Sequence, residues 1–412
     1  MFNNHSDDGR NTNYGLEKIM AEDTIIIDNI EFSADKKTLV RFPADSNIKE
    51  YIVPDGVTKI EKNAFERCEN LESIILPDGV KKIDEFAFGS CKKLKSIILP
   101  DSISKIGDGA FWGCEALESF IIPAGVDKIK EETFKYCKNL KTIVIPRGIT
   151  SIEDDAFCDC KSLLQIIIPD SVKNIGVGTF AGTSVKRVLA NSTFEVDEQG
   201  ALINKKTHTL LYIPGTCKQY VIPVNITKIG QYACYDNKNI ESVIIHDGVK
   251  DIGKYAFFGC ENLKTVNIPQ GIKKIKDRTF MYCAMETIII PDSVTIIDDY
   301  GFACCEKLKS ITIPDSVNLI EQCAFAGCKS LTSIVIPDSI TEICFGTFSS
   351  CSKLKSVIIP DSVTEIGHEA FRDCTSLEKV LIPDGIVLKI GDEAFYNCSR
   401  SMHFVNVHAE NN

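Results

Sequence analysis

The chain is poor in the residues from which most functional chemistry is built. Of its 412 residues one is Trp, five are Met and six are His. The histidines (His5, His208, His246, His368, His403 and His408) are scattered singly along the chain. There is no Gly-x-Ser-x-Gly elbow, no glycine-rich phosphate loop and no Cys/His set at zinc spacing. No catalytic residue, cofactor or metal ligand is therefore expected. Base is also scarce. Lys+Arg number 46 against 57 Asp+Glu, a net charge of −11, which excludes a phosphate-backbone binder. No apolar run reaches the ~18–20 residues of a membrane span, so no membrane insertion is expected. Residues 1–23 are polar and acidic, without the apolar core of ~7–15 residues that a signal peptide needs. They read as a disordered tail. Localisation stays open between the cytoplasm and a surface or secreted destination reached by a non-signal route.

What the chain does have is 18 Cys and 15 Pro, and both recur at fixed intervals. Pro54, Pro77, Pro100, Pro123, Pro146 and Pro169 stand 23 residues apart. After a break come Pro223, His246, Pro269, Pro291, Pro314, Pro337, Pro360 and Pro383. Cys68, Cys91, Cys114, Cys137 and Cys160 keep the same interval, as do Cys260, Cys283, Cys305, Cys328, Cys351, Cys374 and Cys398 with one-residue slips. A period of this length means a solenoid of stacked units rather than several globular domains.

One unit is LESIILPDGVKKIDEFAFGSC, residues 71–91. Alternation about Ile74 and Leu76 predicts a short strand. Pro-Asp-Gly or Pro-Asp-Ser turns the chain, with Pro presetting φ, Asp bonding back to the backbone and Gly permitting φ > 0. Val80 and Ile83 return to the core. Ala87, Phe88 and Cys91 predict a tight helical turn, Phe and Cys being three apart. The Phe slot recurs 14 times, from Phe65 to Phe395, with Cys234 replacing Phe once.

The pattern L-x-x-I-x-[IL]-P-D-[SG]-V-x-x-I-x-x-x-A-F-x-x-C resembles the BspA-type leucine-rich repeat, over roughly residues 24–408. The resemblance implies a curved leucine-rich-repeat arc, β-rich with short helical turns. It also implies surface or secreted proteins that bind host matrix proteins and other cells, with no catalytic residues.

Two stretches break the period. TIIIDNIEFSADKKTLVRFP near the start and STFEVDEQGALINKKTHTLLYIP at 192–214 share a strand, a polar turn, a second strand and a proline. Each predicts a β-hairpin. The expected organisation is a tail (1–23), a hairpin cap and first strand (24–53), six coils (54–191), a hairpin insertion (192–222), eight coils (223–408) and a short tail (409–412). The insertion is expected to bulge from one continuous arc, since no Pro/Ser/Gly-rich linker accompanies it. SMHFVNVH, 401–408, predicts one last strand with no cap, which leaves self-association through that edge open.

Stacked like-oriented cysteines are poor disulfide partners, so the column is expected to pack as buried free thiols. Cys158, Cys217, Cys234, Cys304, Cys323 and Cys344 lie off the column in six different slots. Outward columns on the strand side carry the functional expectation, because repeat arcs bind on their concave face. Five residues before each proline the charge alternates: Glu72, Lys95, Glu118, Lys141. Four before it stand small hydroxyls such as Ser73, Ser96, Ser119 and Thr142. Two before it stand Ile75, Ile98, Ile121, Val144 and Ile167, then Ile244, Asn267, Ile289, Thr312, Val335, Ile358 and Leu381. An outward aliphatic ribbon is either a partner-binding surface or a consequence of β-propensity. The unbroken stretch 75–167 is the better candidate. An Asp column after the prolines (Asp292, Asp315, Asp338, Asp361) follows from turn chemistry, with rim-bound calcium as the alternative.

The function expected is protein–protein interaction through the concave face, with adhesion to host or cell-surface proteins implied by the resemblance. An intracellular scaffold and a self-associating structural protein are the other two readings.

Overall fold

The computed structural model describes residues 24–189, 192–383 and 388–406. The expected tails lie outside the described residues. The chain forms a β-solenoid of about 16 turns. Each regular coil contributes a three-residue strand such as Ser73–Ile75, a proline turn, a two-residue strand such as Lys82–Ile83, and a six-residue turn that bears Phe and leads into Cys. Strands stack in parallel and in strict register, with Ile74 on Ile97 and Ile83 on Ile106. The register follows from the period: a 23-residue coil returns each side chain beside its equivalent, and a one-residue slip would turn the core face outward.

The Phe and Cys columns form the interior, with Phe88, Phe111, Cys91 and Cys114 fully buried. The rings of Phe88 and Phe111 lie 5.3 Å apart and within 1° of parallel; Phe134 and Phe157 are 5.6 Å apart at 3°. Rings in the same pose report the local spacing of coils. Hydrogen-bonded strands are spaced by only about 4.7–4.9 Å. The coils are therefore closer on the strand side than at the Phe column, and the arc curves with its three-residue strands on the concave face.

The Phe turn is not helical, contrary to the expectation for Ala87–Cys91. Phe86 and Ser90 both adopt left-handed φ (49° and 58°), and equivalent pairs recur in coil after coil, Asn63/Arg67 and Glu132/Tyr136 among them. The reason lies in the hydrogen bonds. Phe86, Phe88 and Ser90 donate their N–H groups to Asp108, Ala110 and Trp112 of the next coil, while Ala87, Gly89 and Cys91 donate within their own. A helix would keep every N–H to itself and leave the stack unbonded on this side.

The proline turn also differs in detail. Val80 N–H donates to Pro77 O, so proline is the first residue of the turn rather than its second. Gly79 keeps an ordinary φ, which is why Ser substitutes freely. Ser102 Oγ uses the position to donate to Val80 O of the preceding coil at 2.7 Å.

Both irregular modules contain one strand more than expected. Thr24–Ile27, Ile30–Ser33 and Thr38–Arg41 form an antiparallel meander, and so do Phe194–Val196, Leu202–Asn204 and Thr209–Tyr212. The missed first turn is Asp28-Asn29, both at positive φ (51° and 66°), the geometry of a type I′ hairpin. The third strand of each meander joins the solenoid in parallel, Leu39 on Ile60 and Leu210 on Ile229.

Candidate interaction surface

The concave column places every predicted ribbon residue outward. Ile75, Ile98, Ile121, Val144, Ile167, Ile244, Ile289, Val335 and Ile358 are all exposed, Ile121 by 70% and Ile289 by 82%. Their neighbours one residue earlier, such as Ile74 and Phe120, are buried, as strand alternation requires.

The ribbon is longer than the predicted set. Ile52 pairs with Ile75, Leu189 with Ile167 and Val221 with Ile244, and all three are exposed. Ile52 and Val221 obey the rule of standing two before a proline and were legible. Leu189 has no proline after it, so only the register reveals it. The first stretch thus runs unbroken over seven coils: Ile52, Ile75, Ile98, Ile121, Val144, Ile167 and Leu189. In the second, Asn267 accepts from Ile245 N–H at 2.8 Å and donates to Ile245 O at 2.6 Å. Its amide takes over a backbone pairing where the strand stops at Val266.

On one side the ribbon is flanked by the hydroxyl column (Ser73, Ser96, Ser119, Thr142) and then by the charge column. Charges in the latter pair directly between coils: Glu72 with Lys49 at 3.2 Å and with Lys95 at 2.6 Å, and Glu118 with Lys141 at 2.8 Å. Hydrogen bonds from Lys95 and then Lys49 hold the Glu72 carboxyl below its ordinary pKa. These pairs are exposed and worth little each, but the alternation keeps like charges from standing on adjacent coils. Leu164 replaces a charge at the sixth position of the column and widens the apolar surface there.

The ribbon itself holds no titratable group, so shape and apolar burial are all it offers. Cysteine chemistry is mostly inward, with only Cys217, Cys304, Cys344 and Cys398 half-buried. All 18 thiols are free, and eleven of the twelve column thiols donate to the carbonyl of the Phe-slot residue one coil back, at 3.0–3.3 Å. Cys thus serves as a weak donor as well as a small apolar group. Off the column, Cys234 Sγ touches Cys260 Sγ at 3.8 Å, a contact the slot pattern did not suggest. Among the described residues no group of three or more His, Cys, Asp or Glu is placed to hold a metal ion, and no helix could cross a membrane.

The fold has known counterparts. A leucine-rich cell surface protein from Faecalibacterium prausnitzii is 25% identical with a TM-score of 0.58, over 87% of this chain and 94% of that one. The pneumococcal vaccine antigen PcpA is 21% identical with a TM-score of 0.64, over 93% and 98%. A leucine-rich repeat protein from Eubacterium ventriosum is 22% identical with a TM-score of 0.55, over 92% and 96%. No curated protein sequence matches. The model of the BspA type leucine rich repeat region matches residues 41–162, 127–221, 227–344 and 273–403. Those matches span nearly all the coils, and the chain belongs to the BspA-type leucine-rich repeat family.

Proposed function

We propose that the protein is a non-catalytic binding module that engages a protein partner through its concave face. The observation that carries this reading is the run of seven exposed aliphatic side chains from Ile52 to Leu189. A monomer seldom maintains such a continuous apolar strip without a use for it. Covering half-exposed aliphatic side chains yields roughly 1 kcal/mol each, on the order of 7 kcal/mol for seven rungs. Association costs about 4–15 kcal/mol. A partner must therefore cover most of the ribbon, which favours an extended surface over one pocket. The cell-surface setting of the Faecalibacterium relative supports an adhesive role. The test is binding to purified matrix proteins and to whole cells by wild type and by the Ile98→Asp/Ile121→Asp double variant. Loss of binding with an unchanged melting curve is expected; equal binding by both proteins rejects the ribbon.

Self-association is a second reading. Among the described residues the strand His403–Asn406 is paired on one side only, with Lys379–Ile382, and an open edge is a template for another strand. Light scattering across a concentration series tests it: a constant monomer mass removes it.

A further inference from the structure

We infer that the occupant of the first ribbon is an amphipathic α-helix of another molecule, lying along the arc with its N-terminus at Glu50 and its C-terminus at Arg187. The inference rests on the concave binding reading and specifies its partner. Among the described residues the chain has no helix of its own. A second copy's ribbon is excluded by shape, because two concave faces cannot meet along their length.

Spacing separates the remaining occupants. Rungs repeat at about 4.8 Å, whereas an extended chain repeats same-face side chains at about 6.6–6.8 Å and loses register within two rungs. A helix presents one stripe residue per turn of about 5.4 Å. It drifts only about 0.6 Å per rung and stays within half a rung for four turns. A sheet face would match the spacing but needs several apolar residues per strand. Here each strand offers one, since its other outward position is Ser73, Ser96, Ser119 or Thr142. A stripe one residue wide matches the seam of a helix. These small hydroxyls also leave clearance for the helix body. Six intervals between Ile52 and Leu189 make about 29 Å, the length of about 19 helical residues.

Charge sets the direction. Along the column that holds the hydroxyls, the first residue is Glu50 and the last is Arg187, with Lys186 beside it. All three are exposed, and none forms an ion pair among the described residues. Everything between is uncharged. The positive end of a helix dipole suits Glu50 and the negative end suits Arg187.

The test uses two fluorescein-labelled peptides of the same Leu, Ala, Glu and Lys composition, each about 19 residues long. One spaces leucine at three and four residues, the other alternates it. Fluorescence anisotropy and peptide circular dichroism are read with wild type, Ile98→Asp/Ile121→Asp, the milder Ile98→Thr/Ile121→Thr, and Glu50→Lys/Arg187→Glu. Expected are saturable binding of the helical peptide below about 100 μM, a gain of helix on binding and at least a tenfold loss with the ribbon variants. Charge reversal at the two ends should weaken binding about threefold or more. Equal or better binding of the alternating peptide overturns the helix and leaves the ribbon standing. If neither peptide binds, the helix is overturned, and bis-ANS decides the rest: fluorescence that depends on Ile98 and Ile121 retains the ribbon, and fluorescence indifferent to them removes it as well.

Discussion

The thiol of Cys114 donates to the carbonyl oxygen of Phe88, one coil back, at an Sγ–O distance of 3.2 Å. The same carbonyl already accepts Cys91 N–H within its own coil. The thiol therefore couples neighbouring coils without being the carbonyl's sole partner. Cys114→Ala should cost about 1–2 kcal/mol through the lost packing and the lost weak bond. Cys114→Ser, which keeps a donor, should cost less than Ala. Urea unfolding of the pair checks this, and a serine variant as unstable as alanine means that the bond contributes nothing.

High pH should destabilise the fold. Burial pushes the Cys398 thiol from 9.0 up to about 11 and the Cys305 and Cys351 thiols up to about 12. The folded values are raised, so the unfolded chain ionises first. The stability these thiols contribute is fully present below about pH 9 and lost as pH rises toward the folded values. Urea midpoints should be level up to about pH 8.5 and fall from pH 9 onward. A level midpoint at pH 10.5 contradicts the assignment.

Gly113 occupies the left-handed position that Arg67, Ser90 and Tyr136 fill in other coils, at φ +69°. A Cβ there would meet nothing nearer than Ser90 Oγ at 3.5 Å. Gly113→Ala thus isolates the backbone term, and a loss of about 1 kcal/mol is expected. A much larger loss in thermal unfolding would mean that packing, not φ, decides the residue.

The two blocks should unfold separately when their junction is weakened. Among the described residues Arg187–Leu189 and Asn174–Ile175, the last concave and lateral strands of the first block, pair with no strand of the second. The N–H groups of Gly178, Phe180 and Gly182 find no acceptor among the described residues. The buried core likewise falls into two clusters. Tyr212 spans the gap: its ring lies 5.9 Å from that of Phe180, and its hydroxyl donates to Val185 O at 3.0 Å. Tyr212→Phe should cost about 1 kcal/mol and split one denaturation transition into two. Hydrogen exchange that still shows a single cooperative unit would refute this.

Reading the sequence was reliable wherever the 23-residue period spoke. The Phe and Cys columns, the buried Ile74 row and the exposed Ile98 row follow from it directly, because a coil's nearest neighbour in space is its neighbour one period away. It failed where the period said nothing about backbone angles. Ala87–Cys91 has helical spacing, yet Phe86 and Ser90 turn left-handed to reach the next coil. Asp28-Asn29 was a turn signal overshadowed by the longer SADKK.

The sequence by itself thus determines the solenoid, its register and the outward order of side chains, since nearest-neighbour stacking turns a linear period into contacts. Tertiary structure alone decides three further things. Curvature follows from coils spaced more widely at Phe88 and Phe111 than at their strands. The route of each second N–H into the adjoining coil follows from hydrogen bonds no single coil can satisfy. And Leu189 joins the ribbon because pairing with Ile167, not any motif of its own, puts it there.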